Sequence, residues 1–75
     1  MMNYDLVEPY PAPMRKQKGD VTSVYIYDTL PKAFEASLIA EQIAELRWMQ
    51  GTEFGYTIPG RITDNPDGTF SVIVA

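Results

Sequence analysis

Two residue types that often carry chemistry are missing from this chain of 75 residues, which has no cysteine and no histidine. Without cysteine there is neither a disulfide framework nor a thiolate metal site. Without histidine there is no imidazole to ligate a transition metal or to act as a general base near neutral pH. Because a secreted domain of this size would usually carry disulfides, the sequence favours a cytoplasmic protein.

Long apolar runs and a signal pattern are also missing. No stretch approaches the roughly 20 apolar residues that cross a bilayer. The N-terminus, Met1 to Tyr10, does not show the basic and then apolar pattern of a secretory signal. We therefore expect no membrane partner.

Positive charge is scarce, with 6 basic against 10 acidic residues and a formal net charge of −4. Acidic and basic residues balance within residues 1–20, so the whole net charge belongs to residues 21–75. An acidic body repels phosphates, whose neutralisation supplies most nonspecific nucleic-acid binding. The charge therefore disfavours nucleic acid and favours a protein partner with a basic surface.

The chain divides into an arm and one small domain. Pro9, Pro11 and Pro13 prevent a helix and predict an extended or flexible arm over residues 1–20. This arm is either an ordinary disordered tail or a segment that packs onto the body or a partner through its apolar residues, Tyr4, Leu6, Val7, Tyr10 and Met14. Residues 21–75 are predicted to form a single domain with one core.

A strand and a helix open this domain. The β-branched and aromatic run Val21 to Tyr27 predicts a strand, with Val24 and Ile26 towards the helix. The helix is predicted from Pro31 to Gln50, because proline is tolerated in the first turn and Gly51 can end it. Asp28 and Thr29 are both competent N-caps.

The predicted helix has two different sides. Its core stripe follows helical spacing: Ala36, Ile39, Ala40, Ile43 and Leu46. On the outer side, large apolar residues lie among carboxylates: Phe34, Leu38, Glu41, Glu45, Trp48 and Met49. Several exposed apolar residues in one place indicate a contact site.

A hairpin closes the domain. Asp64 to Gly68 has proline and glycine where a type I turn with a G1 bulge requires them. Phe54 to Ile58 is predicted as a separate short strand or as the first half of one bent strand. The fold class is therefore α+β, a small two-layer βαββ unit with one helix on a three-stranded, mainly antiparallel sheet. Ser71 to Val74, the most apolar strand, is expected at its centre.

Candidates for catalysis and metal binding are few. Glu41 and Glu45 lie one helical turn apart and could act as an acid and base pair, but the spacing equally fits a solvated acidic face. Asp64, Asn65 and Asp67 lack the length of a calcium loop and its closing glutamate, and a turn accounts for all three. The glycines match neither dinucleotide nor phosphate-loop spacing. We predict no enzyme activity, no catalytic residue, no cofactor and no metal.

The favoured function is a non-catalytic protein-binding module. Large aromatic residues are enriched at interface centres, and this chain has more of them than one small core can bury. The expected partner-binding residues are Phe34, Leu38, Glu41, Glu45, Trp48, Tyr25 and Tyr27. Surrounding carboxylates would steer a basic partner surface.

A more specific hypothesis is an acidic inhibitor that occupies the nucleic-acid-binding groove of a basic host protein. In size and charge the chain is similar to small acidic α/β proteins that bacteriophages encode, anti-CRISPR proteins among them. This likeness is one of composition; it covers no motif and assigns no family. It implies a protein that works in the host cytoplasm.

Two alternatives remain open. The sheet face away from the helix has no second helix to cover it, so a homodimer or structural assembly could bury it through Tyr25, Tyr27 and Ile73. The same tyrosines could stack on single-stranded nucleic acid, although such platforms sit beside a basic groove. This face offers only Arg61 and the cations of the arm.

Overall fold

The structure is a computed structural model that describes residues 9–75. The described elements follow one another as two strands, a helix and two strands: β1 (Arg15–Lys18), β2 (Ser23–Tyr27), α1 (Leu30–Met49), β3 (Ile62–Asp64) and β4 (Phe70–Val74). The predicted packing of Tyr4, Leu6 and Val7 lies outside the described residues. Within the described part, α1 does not combine the length and apolarity that a membrane-crossing helix needs.

All neighbouring strands pair antiparallel, in the order β1-β2-β4-β3. β4 lies between β2 and β3, which confirms the predicted central strand, and α1 packs on β2, β4 and β3. The α+β class is therefore confirmed. The predicted number of three strands is wrong, because the described sheet has four.

The additional strand, β1, comes from the polar end of the predicted arm. Its four residues stand opposite Ser23 to Ile26 of β2 in continuous register, and the Met14 N–H donates to the Ile26 carbonyl at 2.7 Å. All four side chains are exposed. Charged side chains are compatible with an edge strand, because the backbone supplies the pairing while the long side chains remain in water.

The two sides of β2 are the reverse of the prediction. Tyr25 stands opposite Val72 and Tyr27 opposite Phe70, and residues paired in this way point to the same side of a sheet. Tyr27 is fully buried in one cluster with alanines of α1, and Tyr25 packs against that cluster. The tyrosines therefore lie on the helix side, and the other side carries the two aliphatic residues, Val24 and Ile26.

Small residues on α1 explain this reversal. Three alanines and one serine of the helix are buried against the sheet: Ala33, Ala36, Ser37 and Ala40. Their size leaves room for an aromatic ring, and the hydroxyl of Tyr27 donates to the carbonyl of Pro11 at 2.8 Å. A buried tyrosine with a partner for its hydroxyl is stable in a core.

The predicted core stripe is correct only in part. Ala36 and Ala40 are fully buried, Ile39 and Ile43 are half-buried, and Leu46 is 62% exposed. The buried side of the helix is turned from the predicted stripe towards Ala33 and Ser37. Close approach of α1 to the sheet favours the smallest side chains at the contact, and the larger ones lie beside it.

The helix ends and the hairpin turn use the residue types that the sequence predicted. Each end of the helix lies one residue before its predicted position. Thr29 is the N-cap without a side-chain cap bond, and Gly51, at φ +98°, follows the last turn. Gly68, at φ +88°, closes the hairpin of β3 and β4. The strand predicted at Phe54 to Ile58 is wrong: this segment is a loop, in which Thr57 N–H donates to the Phe54 carbonyl at 3.1 Å.

Candidate functional site

Five of the predicted partner-binding residues form one line along α1, which we call the helix flank: Phe34, Leu38, Glu41, Glu45 and Trp48. Their spacings alternate between four and three residues, the heptad pattern that keeps side chains on one side of a helix. All five are exposed. Relative to the buried alanines, the line lies on one side of the helix rather than directly opposite the core, because the buried side is turned towards Ser37.

The loop that follows α1 packs against the middle of the helix flank. The hydroxyl of Ser37 donates to the carbonyl of Gly60, and a side chain added to Gly60 would meet Glu41 Cγ at 2.5 Å. Glu41 therefore lies directly over this glycine. The contact fixes the loop beside the helix and holds the stem of Glu41 against it.

Exposed apolar residues are concentrated on α1 and on the loop that follows it. Of the ten large apolar residues exposed in the described part of the chain, eight belong to α1 or to the loop after it. Trp48 is 68% exposed, and Tyr56 and Ile58 are exposed in the loop. A concentration of this kind differs from the scattered apolar residues of an ordinary surface.

The charge of the helix flank comes from two carboxylates, Glu41 and Glu45. Among residues 9–75, no ion pair includes Glu41 or Glu45; the exposed pair found there joins Lys32 Nζ to Asp28 Oδ1 at 3.4 Å. Arg47, the basic residue of the last turn, lies on another side of α1 by helical spacing. The flank therefore presents acidic groups between Leu38 and Trp48 that form no ion pair within the described residues.

The other two predicted partner-binding residues, Tyr25 and Tyr27, lie elsewhere. Tyr27 is buried beneath α1. Tyr25 is in edge contact with Tyr10 at 5.3 Å between ring centroids, and Lys16 Nζ lies 5.3 Å from the Tyr25 ring centre. They belong to the core and to its contact with the N-terminal segment, so placing them on an open sheet face was wrong.

The turn residues considered as metal ligands are engaged in the hairpin. Asn65 Nδ2 donates to Thr69 Oγ1 and Ser71 Oγ, at 3.0 and 2.8 Å. Asp67 Oδ1 accepts from the backbone N–H and the hydroxyl of Thr69, and these hydrogen bonds, the hydroxyl first, lower the pKa of Asp67 below its ordinary value. Within the described residues, no group of acidic side chains is arranged to hold a metal, and no pocket opens.

Sequence reasoning missed the structure of two exposed segments, the loop after α1 and the strand β1. Tyr56 and Ile58 were assigned to a strand, and the signal that could have placed them in a loop is the pair of turn-forming residues on either side, Gly55 and Pro59. The basic run Arg15–Lys18 was assigned to an arm, and no alternation of apolar residues marked it as a strand. Edge strands of charged residues leave little pattern to detect.

In comparisons with known proteins, no family model matches this chain, and neither a curated protein nor a solved structure matches it.

Proposed function

We propose that this protein is a non-catalytic binding module that recognises a protein with a basic surface through the helix flank. The observation that carries the proposal is the heptad line from Phe34 to Trp48, which is exposed throughout and places two carboxylates between large apolar residues. The fold does not require these apolar residues, because the core of the described chain is filled by alanines, valines and Tyr27.

Each part of the flank has a separate role in this proposal. Phe34, Leu38 and Trp48 supply the apolar area that gives affinity once water is excluded. Glu41 and Glu45 select the partner, because an acidic partner surface would place like charges together at a cost of several kcal/mol. Contact between Glu41 and Gly60 fixes one carboxylate stem before binding, which lowers the entropy lost on association.

Nucleic-acid-binding proteins are the basic partners that this chemistry fits best, since their grooves present lysine and arginine beside apolar and aromatic side chains. The acidic helix flank would occupy such a groove in place of the phosphate backbone. The activity proposed for the module is therefore inhibition of a basic host protein by occlusion.

Capture of partners with matched variants tests the proposal. The chain is immobilised as wild type, as E41K/E45K and as E35K, and the captured proteins are identified and purified for affinity measurement. Glu35 is an exposed glutamate of the same helix that lies outside the helix flank by helical spacing. We expect E41K/E45K to lower affinity at least about tenfold, or about 1.4 kcal/mol, and E35K to change it less than about twofold.

Circular dichroism establishes that each variant has folded before its binding is compared. If a folded E41K/E45K retains the wild-type affinity for every captured partner, the helix flank is not the binding surface.

The two other hypotheses lose the tyrosines on which they depended, whereas Ile73 stays opposite Val24 on the sheet side away from the helix. Tyr27 is fully buried, so its ring has no free face for a nucleic-acid base. On the sheet side away from the helix, Ile26 is also buried, and the tyrosines are not there to complete an apolar contact between copies.

A further inference from the structure

Two of the ten exposed large apolar residues are neither on α1 nor in the loop after it: Met14 and Val21, which are 60% and 43% exposed. They stand on either side of β1, Met14 directly before Arg15 and Val21 in the turn after Lys18. Between them, all four side chains of β1 are exposed and three of them are cationic. In the register with β2, Lys16 and Lys18 point to the helix side of the sheet and Arg15 points to the other side. Asp20 adds one carboxylate before Val21, so three cations and one carboxylate give this edge a net charge of +2 between two apolar groups. We call this surface the basic edge.

The helix flank carries the opposite charge, also between two apolar groups. Leu38 and Trp48 stand on either side of Glu41 and Glu45. Glu41 and Glu45 give the flank a charge of −2, opposite in sign to that of the basic edge. The two surfaces are therefore complementary in charge.

One copy of the chain cannot join these two surfaces. β1 forms one edge of the described sheet and makes no contact with α1, whereas Glu41 packs on Gly60 directly before β3, the strand at the other edge. The basic edge and the helix flank therefore lie at opposite sides of the molecule. Two copies can join them only head to tail, which leaves one free basic edge and one free helix flank at the ends.

We propose that a second copy of this chain binds the helix flank through its basic edge, so that the protein associates head to tail. This inference rests on the proposed function, because it uses the same docking surface and names one partner for it. The association is weak and salt-dependent, because exposed ion pairs are screened and each contributes little. A captured protein with a stronger basic surface would compete with the second copy for the same residues.

A charge exchange between the two surfaces tests the proposal. The variants are E41K/E45K, which makes both surfaces basic, R15E/K18E, which makes both acidic, and the combination of all four changes. Lys16 stays in place because it contacts the Tyr25 ring. The first variant has a formal net charge of zero and the second of −8, while the combination returns to −4, the wild-type value. The combination is therefore a control that is matched in net charge.

Sedimentation velocity over a range of protein concentrations measures the association at about 10 mM and about 1 M salt, where the Debye lengths are about 30 and 3 Å. We expect the wild type to associate at low salt and to be monomeric at high salt. Each double variant alone should associate at least about tenfold more weakly, and the fourfold variant should recover the wild-type constant within about threefold. Circular dichroism confirms the fold of each variant.

Three results would overturn head-to-tail association: a wild type that is monomeric at low salt, a double variant that still associates normally, or a fourfold variant that does not recover. The proposed function fails on a different result, the retention of captured partners by E41K/E45K. A monomeric chain whose captured partner is lost by E41K/E45K would therefore refute the second copy as a partner and support the helix flank as a binding surface.

Discussion

Replacing Gly60 with alanine should destabilise the fold by about 1.5 to 3.5 kcal/mol. Gly60 is buried at φ +97°, a left-handed conformation that costs a residue with a Cβ about 1 to 2 kcal/mol. The new Cβ would also stand 2.5 Å from Glu41 Cγ, so the glutamate must leave its position. Forcing a side chain out of a staggered rotamer costs about 0.5 to 1.5 kcal/mol, and the two terms together give the predicted range.

Gly51 provides a matched control for the backbone term. Its φ is +98°, and an added Cβ meets nothing within 4 Å. The G51A variant should therefore lose only about 1 to 2 kcal/mol, the cost of the left-handed conformation. Urea unfolding followed by far-ultraviolet circular dichroism measures the free energy of unfolding for both variants.

A double-mutant cycle with E41A isolates the steric term. When Glu41 is already alanine, the additional cost of G60A should fall to that of G51A, which gives a coupling energy of about 0.5 to 1.5 kcal/mol. Equal costs for G60A and G51A, or a cycle without coupling, would show that Glu41 does not pack on Gly60. The fixed carboxylate of the helix flank would then have no structural basis.

Three further predictions concern the core, the hairpin and the helix surface. Tyr27→Phe removes the hydroxyl that donates to Pro11 and should lower the free energy of unfolding by about 0.5 to 1.5 kcal/mol in urea titrations. Thr69→Val removes the hydroxyl that donates to Asp67, so the pKa of Asp67 in an NMR titration should rise towards its ordinary value of 3.8. The lowered pKa means that ionised Asp67 stabilises the folded state. This stabilisation is present above the ordinary pKa and is lost as the pH falls through the lowered pKa. The variant should therefore lose less of its free energy of unfolding on acidification than the wild type. Leu46→Ser should change the free energy of unfolding by less than about 0.5 kcal/mol, because this leucine is exposed, whereas a buried leucine would cost several times more.

The hairpin and the helix ends could be predicted from sequence because single residues determine them. Gly68 and Gly51 both adopt the positive φ that their positions predicted, and Pro31 lies in the first turn of α1. In each case the constraint is local, since it depends on the backbone conformation of one residue. Such constraints do not change when the rest of the chain packs around them.

The faces of β2 could not be predicted because they depend on the partner element. Alternation separates Tyr25 and Tyr27 from Val24 and Ile26 but does not show which pair meets the helix. The aliphatic pair has the more usual core composition. In this fold the buried side of α1 consists of small residues, and the space above them suits tyrosine rings better. The same packing places the small residues of α1 against the sheet and leaves Leu46 exposed.

The candidate site also has one feature that the sequence predicted and one that depends on the fold. Exposure of the helix flank from Phe34 to Trp48 was predictable, because a heptad line of aromatic residues and carboxylates has no place in a small core. The basic edge was not predictable as part of a sheet, since Arg15–Lys18 has no apolar alternation and its pairing depends on β2. Only the fold places these two charged surfaces on opposite sides of one molecule.

The central claim is that the helix flank binds the partner. Trp48, the one tryptophan of the chain, tests this claim most directly. A chain labelled with fluorotryptophan gives one fluorine NMR signal, whose exposure to solvent is measured with a soluble paramagnetic agent. Trp48 is 68% exposed in the free chain, so relaxation by the agent should be strong there. In a saturated complex with a captured partner, the account predicts that this relaxation falls several-fold. Relaxation that is unchanged at saturation would contradict it.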